Sequence, residues 1–215
     1  MPNRSLAHVR HWVFDLDNTL YPPEARLFDQ IEVRMTEFVM QALGVTHREA
    51  DRLRRHYWQK YGTTLAGLMR EHGVDPAPYL ADVHEISLEH LAPDPGLAKV
   101  IAALPGRKIV HTNGSAAHAE RVLAARGLAH VFDACFGIEH ADFHPKPEAR
   151  AFEVVFVRGR VEPSRAAMFE DDARNLEAPH AMGLRCIHVA PRPARSPHVH
   201  HHTADLRAFL EKLVR

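Results

Sequence analysis

The stretch Val13-Phe14-Asp15-Leu16-Asp17-Asn18-Thr19-Leu20 carries two carboxylates directly after a short apolar run. The run Trp12-Val13-Phe14 is typical of a buried parallel strand, because a strand covered on both faces is apolar throughout and shows polar groups only where it emerges. Tyr21-Pro22-Pro23 then breaks regular structure. The stretch therefore predicts a strand that delivers Asp15 and Asp17 to one end of a sheet.

The rest of the chain divides into a helical part and an alternating part. Residues 24–91 show the three-and-four spacing of apolar side chains that is typical of helices, without strand alternation. The glycine-punctuated stretch at residues 61–68 is expected to interrupt these helices before another helix near residues 78–91. After Pro93-Asp94-Pro95-Gly96, short apolar runs alternate with helical segments, which indicates βα units and a parallel sheet. We predict an α/β fold in which residues 1–21 and 93–215 form the core domain and residues 22–92 form an inserted all-helical cap domain.

Composition excludes several classes of partner. Lys plus Arg and Asp plus Glu both total 27, so the formal net charge is zero with histidine neutral. This balance argues against charge-driven binding to a nucleic acid polymer or to an anionic membrane. It is compatible with a local basic pocket for one phosphate group.

The cysteines and the apolar runs bear on the compartment. Cys135 and Cys186 each lie among apolar residues and are predicted to be small core side chains, so a disulfide framework is not expected. Met1 to Arg10 has no apolar segment of a secretory leader, and no run is long enough to span a bilayer. A cytoplasmic location is the expectation.

A histidine cluster near the C-terminus is formed by His198, His200, His201 and His202. It follows prolines at three positions within residues 191–197, so we predict an irregular, solvated segment. Adventitious metal binding is the alternative interpretation.

Polar clusters follow four of the predicted strands, and in open α/β sheets ligands bind beyond the carboxyl ends of the strands. In the first cluster, one of Asp15 and Asp17 is suited to attack phosphorus while the other handles the proton of the leaving alkoxide. Two clustered carboxylates also favour a hard cation such as Mg²⁺. Solvated strand-end acids are the less favoured alternative for this pair taken alone.

The second and third clusters are suited to binding phosphate. Thr112-Asn113-Gly114-Ser115 offers a hydroxyl and backbone donors at a predicted helix N-terminus, although Asn113 or Ser115 as a simple helix cap is the alternative. Lys146 stands between two prolines, where a fixed ammonium can stabilise phosphoryl oxygens. An exposed loop lysine is the alternative there.

The fourth cluster is Glu170-Asp171-Asp172, directly after the apolar run Ala167-Met168-Phe169. Three consecutive acids that emerge from a buried strand repel one another unless a counter-ion is near. A bound metal ion is the simplest relief of that repulsion.

The order of these clusters resembles the haloacid dehalogenase-like hydrolase superfamily, whose four motifs span Asp15 to Asp172 here. The resemblance implies a Rossmann-like core, and the helical insert is similar to the first cap type of that superfamily. Three stretches further resemble its pyrimidine 5′-nucleotidase-like branch: FDLDNTLYP at residues 14–22, YGTTLAGL at 61–68 and FEDDARNL at 169–176.

The resemblance assigns roles to the strand-end residues. Asp15 is implied to be the nucleophile that becomes an aspartyl phosphate, and Asp17 the general acid and then the general base. Thr112 is implied to hold a phosphoryl oxygen with help from the Asn113 backbone. Lys146 is implied to pair with Asp15 and the phosphoryl group.

A magnesium site is implied in the same way. Its ligands are Asp15, the backbone carbonyl of Asp17, Asp171 and Asp172, with Asp172 favoured over Asp171 as the direct ligand. Glu170 stands where relatives often carry an apolar residue, so its role stays open.

The substrate is the less determined part of the prediction. Dehalogenases of the superfamily lack an acid at the position of Asp17, so its presence favours phosphate chemistry over dehalogenation. The branch implies a nucleoside 5′-monophosphate such as UMP or CMP, and we hypothesise that Tyr61, Thr63 and Thr64 line the cap face and contact the leaving group. A cap turn that packs only against its own helices is the alternative.

Other functions stay open at this point. A phosphatase or mutase acting on a sugar phosphate or another small phosphorylated metabolite fits the same motifs. A non-catalytic phosphate-binding regulator is disfavoured because both Asp15 and Asp17 are present. A response-regulator-like receiver is disfavoured because it lacks a large helical insert after its first strand. The oligomeric state is left unpredicted.

Overall fold

A six-stranded parallel sheet forms the centre of the protein in the computed structural model, which describes residues 5–214. The strand order is β3-β2-β1-β4-β5-β6, so the first strand lies between the second and the fourth. The predicted α/β fold with a parallel sheet is confirmed. The strands are β1 (His11–Phe14), β2 (Arg107–His111), β3 (Ala134–Phe136), β4 (Ala166–Glu170), β5 (Arg185–Val189) and β6 (His201–Thr203).

Strand β1 is central because its side chains are apolar on both faces. Val13 and Phe14 are both completely buried and belong to different core clusters, since successive side chains of a strand point to opposite faces. The Phe14 ring stacks on Phe169 of β4 with centroids 4.6 Å apart. Burial of each such side chain contributes roughly 1.5–3 kcal/mol. This packing holds the β1–β4 pair, and with it the acidic residues that follow both strands.

In the described part of the chain, four α-helices lie between Leu27 and Val83, and five more lie between Pro95 and Glu211 around the sheet. Gly44 ends the first of them in a left-handed conformation with φ of 63°, which a residue without a Cβ adopts readily. The helices are α1 (Leu27–Leu43), α2 (His47–Tyr61), α3 (Thr64–His72), α4 (Pro76–Val83), α5 (Pro95–Ala102), α6 (Ala116–Ala125), α7 (Ala149–Gly159), α8 (Glu177–Ala181) and α9 (Leu206–Glu211).

One prediction within the insert holds over a shorter range, and one is wrong. The stretch at residues 61–68 interrupts the helices only at Gly62 and Thr63, because Thr63 caps α3 by accepting a hydrogen bond from the Ala66 amide. The helix expected at residues 78–91 ends at Val83. The segment beyond it is held instead by Arg121, which donates to the carbonyl oxygens of His84 and Ile86.

The prediction of an irregular, solvated segment holds for His198 and His200, which lie in a turn and a bend with His200 exposed, and it is wrong for His201 and His202. Residues 201–203 form β6 and pair in parallel with β5, since the last proline lies before them and leaves their amides free for the ladder. His200 accepts a hydrogen bond from the Cys186 amide, and the His198 ring lies 2.6 Å from the Ala173 carbonyl oxygen. Within residues 5–214, none of these histidines belongs to a group of metal-ligating side chains.

Both cysteines pack in or against the core, as the sequence predicts. Cys186 is fully buried and Cys135 is partly buried against the core, and burial raises the pKa of both thiols to about 12. Residues 1–4 and 215 of the predicted core domain lie outside the described residues. The division at residues 22 and 92 stays a prediction. Within residues 5–214, no helix combines the length and apolar character needed to cross a bilayer.

Candidate functional site

The polar clusters meet at the carboxyl edge of the three central strands. Asp15 follows β1, Thr112 follows β2, and Glu170 ends β4, so their common location is a consequence of the strand order. A cavity of about 410 Å³ opens there between the sheet edge and the helical insert, and residues of all four clusters line it. The core side of the lining comprises Asp15, Asp17, Asn18, Thr112, Asn113, Gly114, Lys146, Glu170, Asp171, Asp172 and Asn175.

Asp15 is held rigidly at this edge. Its backbone amide donates to the Phe169 carbonyl oxygen at 2.9 Å, which continues the β1–β4 pairing by one residue. The residue is 5% exposed, and its Oδ1 accepts a hydrogen bond from Lys146 Nζ at 2.6 Å. A buried carboxylate with a fixed orientation is suited to nucleophilic attack on a bound electrophile.

Lys146 is completely enclosed and fully hydrogen-bonded. Its Nζ donates to Asp15 Oδ1, to Glu170 Oε2 at 2.7 Å and to the His111 carbonyl oxygen at 3.0 Å. Burial alone lowers the pKa of a lysine, but the carboxylates of Asp15 and Glu170 reverse that effect and raise the pKa of Lys146. The ammonium therefore stays charged and is not an exposed loop lysine.

Asn113 fixes the lysine loop. Its side-chain amide donates to the Lys146 carbonyl oxygen at 3.1 Å, and its Oδ1 accepts from the Lys146 amide at 2.8 Å. Ser115, the alternative helix cap, does cap α6 by accepting a hydrogen bond from the His118 amide. The Asn113 side chain thus orients Lys146, while its predicted backbone contact with phosphate stays a prediction.

Three carboxylates form a compact group at the centre of the site. Oxygen atoms of Asp15, Glu170 and Asp171 lie within 4.8 Å of one another. Burial raises the pKa of both Asp15 and Asp171, and the neighbouring Glu170 carboxylate raises both further. A divalent cation relieves such repulsion, and carboxylate oxygens are the ligands that Mg²⁺ prefers. The residues present therefore fit magnesium.

Asp172 lies beside this group rather than in it. Its carboxylate is bound by the Arg174 guanidinium, with Nη2 2.6 Å from Oδ2, and by the Arg174 backbone amide. Burial raises the pKa of Asp172, but the hydrogen bonds from Arg174 outweigh burial and lower the pKa below its ordinary value. The position next to Asp15 is occupied by Asp171 and Glu170, whereas the sequence favoured Asp172 as the direct ligand.

Asp17 sits in a different environment from Asp15. Its Oδ1 accepts a hydrogen bond from the Tyr21 hydroxyl at 2.7 Å and lies 3.4 Å from His118 Nε2, while Thr112 Oγ1 lies 3.5 Å from Oδ2. Burial raises the pKa of Asp17, but His118 and Tyr21 outweigh it and bring the pKa to about 2. Neither Tyr21 nor His118 was singled out from the sequence, because their approach to Asp17 depends on the fold.

The residues predicted from the insert are only partly brought to the cavity. Thr63 and Thr64 line it, although the Thr63 hydroxyl also caps α3. Tyr61 lies outside the lining, and its hydroxyl donates to the Glu71 carboxylate, so its contact with the leaving group stays a prediction. Phe28 and Trp58 line the cavity instead, and the sequence offered no signal that their rings stay exposed.

A sequence profile of the haloacid dehalogenase-like hydrolases matches residues 9–183. The chain belongs to this family. Its curated relatives include Phosphate metabolism protein 8 of Saccharomyces cerevisiae, which is 28% identical over 82% of this chain. Fructose-1-phosphate phosphatase YqaB of Escherichia coli is 33% identical over 50% of the chain. The matches span only 60% and 57% of those two proteins.

Solved structures share the fold. The HAD phosphatase of Thermococcus onnurineus superposes with a TM-score of 0.62 at 15% identity, covering 95% of this chain and 98% of that one. The magnesium-bound HAD-hydrolase YfnB of Bacillus subtilis gives a TM-score of 0.60 at 16% identity, with coverage of 95% and 98%. These likenesses confirm the Rossmann-like α/β architecture of this hydrolase.

Proposed function

We propose that this hydrolase is a magnesium-dependent phosphatase that cleaves a nucleoside 5′-monophosphate, with a pyrimidine nucleotide preferred, through an aspartyl phosphate on Asp15. The observation that carries the proposal is the buried Asp15–Lys146–Glu170 network with Asp17 beside it. One carboxylate is placed to attack, and a second, in a separate environment, is placed to transfer protons. The family includes dehalogenases, but these do not need the proton that Asp17 supplies.

In the first step an oxygen of Asp15 attacks phosphorus, and the bond from phosphorus to the ester oxygen breaks. The departing 5′-oxygen takes a proton from Asp17. Although the Asp17 pKa is about 2 in the free protein, an incoming phosphate dianion beside it favours the protonated form. Lys146 offsets the negative charge that accumulates around Asp15 during this step.

In the second step water attacks the phosphorus of the aspartyl phosphate. Asp17 takes the proton of that water, the bond from Asp15 to phosphorus breaks, and phosphate leaves with the Asp15 carboxylate restored. Because the displacement is divided into two steps, the Asp17 carboxylate can donate a proton in the first step and accept one in the second. The insert covers the cavity and limits the entry of further water.

We assign magnesium to the group formed by Asp15, Asp171 and Glu170, together with the Asp17 backbone carbonyl, and Asp172 is a further candidate ligand. When bound, the cation neutralises phosphoryl charge and orients the phosphate for in-line attack. The proposal is supported by the three close carboxylates and by the magnesium-bound state of the YfnB relative.

The insert side of the cavity supports a leaving group with a planar ring. Phe28 is 37% exposed and Trp58 is 46% exposed, and both line the cavity among aliphatic side chains. A cavity of about 410 Å³ is within the size range of small-ligand sites. Aromatic rings that stay exposed in a cleft suit stacking with a nucleobase.

A sugar phosphate is the second candidate, because the YqaB relative is a fructose-1-phosphate phosphatase. A small phosphorylated metabolite is common to both candidates. We also propose a cytoplasmic location, which the two unpaired cysteines support.

A release assay for inorganic phosphate tests the proposal. The panel comprises UMP, CMP, AMP, fructose 1-phosphate and glucose 1-phosphate, each with Mg²⁺ and with a chelator, and halide release from 2-chloropropionate is followed in parallel. We expect magnesium-dependent turnover with UMP or CMP fastest. A faster reaction with fructose 1-phosphate transfers the assignment to sugar phosphates, and activity on 2-chloropropionate alone refutes the phosphatase.

A further inference from the structure

Two buried histidines adjoin Asp17 outside the four strand-end clusters. His118 lies on α6 with a completely buried side chain, and its Nε2 is 3.4 Å from Asp17 Oδ1. His84 immediately follows α4 of the insert and is 8% exposed. The two rings stack with centroids 4.4 Å apart and planes 13° from parallel.

Among residues 5–214, Asp17 is the side chain whose oxygen lies within hydrogen-bonding distance of the His118 ring. The other ring nitrogen of His118, Nδ1, is buried and has no hydrogen-bond partner among residues 5–214. A buried polar atom without a partner lowers the stability of the fold, and an aliphatic or phenyl side chain at this position avoids that loss. The contact with Asp17 gives the imidazole a function that offsets this cost.

His84 is anchored firmly enough to support the neighbouring ring. Its Nδ1 lies 2.9 Å from the Leu80 carbonyl oxygen and 3.1 Å from Ser115 Oγ. Its own carbonyl oxygen accepts a hydrogen bond from Arg121 of α6 at 3.0 Å. The segment that leaves the insert is therefore attached to the same helix that carries His118.

We propose that His118 is a positioning residue that orients the Asp17 carboxylate for proton transfer to the leaving group, and that His84 holds the His118 ring in place. The inference rests on the proposed phosphatase function and deepens it. It links the chain segment that joins insert and core to the residue that protonates the leaving oxygen.

The proposal predicts an effect that depends on the leaving group. An alkoxide, such as the 5′-oxygen of a nucleotide, needs a proton as it departs, whereas p-nitrophenolate departs without one. The quantity kcat/KM covers the steps up to leaving-group departure. It therefore isolates the proton transfer that Asp17 performs in the first step.

The test compares three variants on UMP or the best alkyl phosphate and on p-nitrophenyl phosphate. His118→Phe keeps a ring against His84 and removes the hydrogen bond, His118→Gln keeps a donor at about the same reach, and His84→Ala removes the stacked support. For His118→Phe we expect kcat/KM to fall about 100-fold on the alkyl phosphate and less than about fivefold on the aryl phosphate. His118→Gln should recover most of the loss, and His84→Ala should show a smaller loss with the same selectivity.

Equal losses on both substrates, or a His118→Gln variant as impaired as His118→Phe, overturn the inference. If His118→Phe does not fold, judged by its circular dichroism, the other two variants are compared instead. A loss of kcat/KM in His84→Ala that is larger on the alkyl phosphate than on the aryl phosphate then supports the inference, and equal losses overturn it. A wild-type protein that cleaves neither substrate refutes the proposed function and this inference with it. An active wild-type protein with leaving-group-independent losses refutes the inference alone.

Discussion

The core side and the insert side of the cavity differ in how far their side chains are buried and hydrogen-bonded. On the core side Asp15, Lys146 and Glu170 are 5%, 1% and 1% exposed, and hydrogen bonds connect them. On the insert side Phe28 and Trp58 leave more than a third of their surface uncovered. The hydrogen bonds of the core side form without a substrate, whereas the insert side offers apolar surface that a substrate can cover.

We infer from this difference that the core side carries out the reaction and that the insert side selects the substrate. Charged groups catalyse best when they are oriented before the substrate arrives, because no reorganisation is then needed during the reaction. Recognition of a leaving group instead uses surface that gains free energy when the ligand buries it. Changes on the core side should therefore lower the rate for every substrate, and changes on the insert side should alter the choice among substrates.

The largest effect is expected for Asp15→Asn, which removes the nucleophile and preserves its shape. Turnover of every phosphomonoester should fall on the order of 10⁴-fold or more, because no covalent intermediate forms. Phosphate release and the melting temperature are the measurements, and Asp29→Asn on the exposed surface of α1 is the matched control. Retained turnover in a folded Asp15→Asn protein contradicts the mechanism.

The next largest effect is expected for Glu170→Gln. The amide keeps the size of the side chain but removes a charge beside Asp15 and Asp171, so magnesium affinity should weaken about 10- to 100-fold. Isothermal titration with Mg²⁺ measures this directly, apart from activity. Glu153→Gln, on the exposed part of α7, provides the control. An unchanged Mg²⁺ affinity removes Glu170 from the proposed site.

A smaller, selective effect is expected on the insert side. Trp58→Ala should raise KM for the nucleotide about tenfold through loss of stacking, with kcat within about threefold of wild type. The Arg174 guanidinium carbon also lies 3.6 Å from the centroid of the Trp58 ring. Trp58→Phe is therefore included, because it keeps a ring against Arg174. Val157→Ala is the exposed apolar control. An equal rise in KM for glycerol phosphate, which has no ring, contradicts the recognition role.

The smallest effect is expected on the free energy of unfolding, and it does not depend on a bound metal ion or substrate. Burial, followed by the charge of Lys146, holds the pKa of His111 well below 6.5, so the folded protein keeps this ring neutral. The unfolded chain binds a proton as the pH falls below about 6.5, so the stabilising contribution is complete above that pH and declines below it, by at most about 1.4 kcal/mol per pH unit.

Urea unfolding at pH 7.5, 6.5 and 5.5 measures this dependence. His111→Phe keeps an aromatic ring against Phe152, which His111 contacts edge-on at 5.2 Å, and removes the titrating group. The variant should show a shallower decline between pH 6.5 and 5.5 than wild type. Identical slopes for the two proteins contradict a neutral buried His111.

Local sequence was sufficient for most of the sheet. The run from Arg185 to Val189 forms β5, as the alternation of apolar runs and helical segments predicts, because its β-branched Ile187 and Val189 favour an extended strand. The end of α4 was not predictable, because what ends the helical segment at Val83 is the binding of the next carbonyl groups by Arg121, a contact distant in sequence. The edge strand β6 was missed for the same reason, since pairing with β5 is what makes it a strand.

The sequence by itself determined which polar residues meet at the sheet edge, namely the acids, the threonine and the lysine of the four clusters, because parallel strands bring their carboxyl ends together. Only the tertiary structure decided how these residues are paired. It placed Glu170 against Lys146, turned Asp172 towards Arg174, and brought His118 beside Asp17. Such pairings depend on burial and on distances across the fold, and neither quantity is present in the order of residues along the chain.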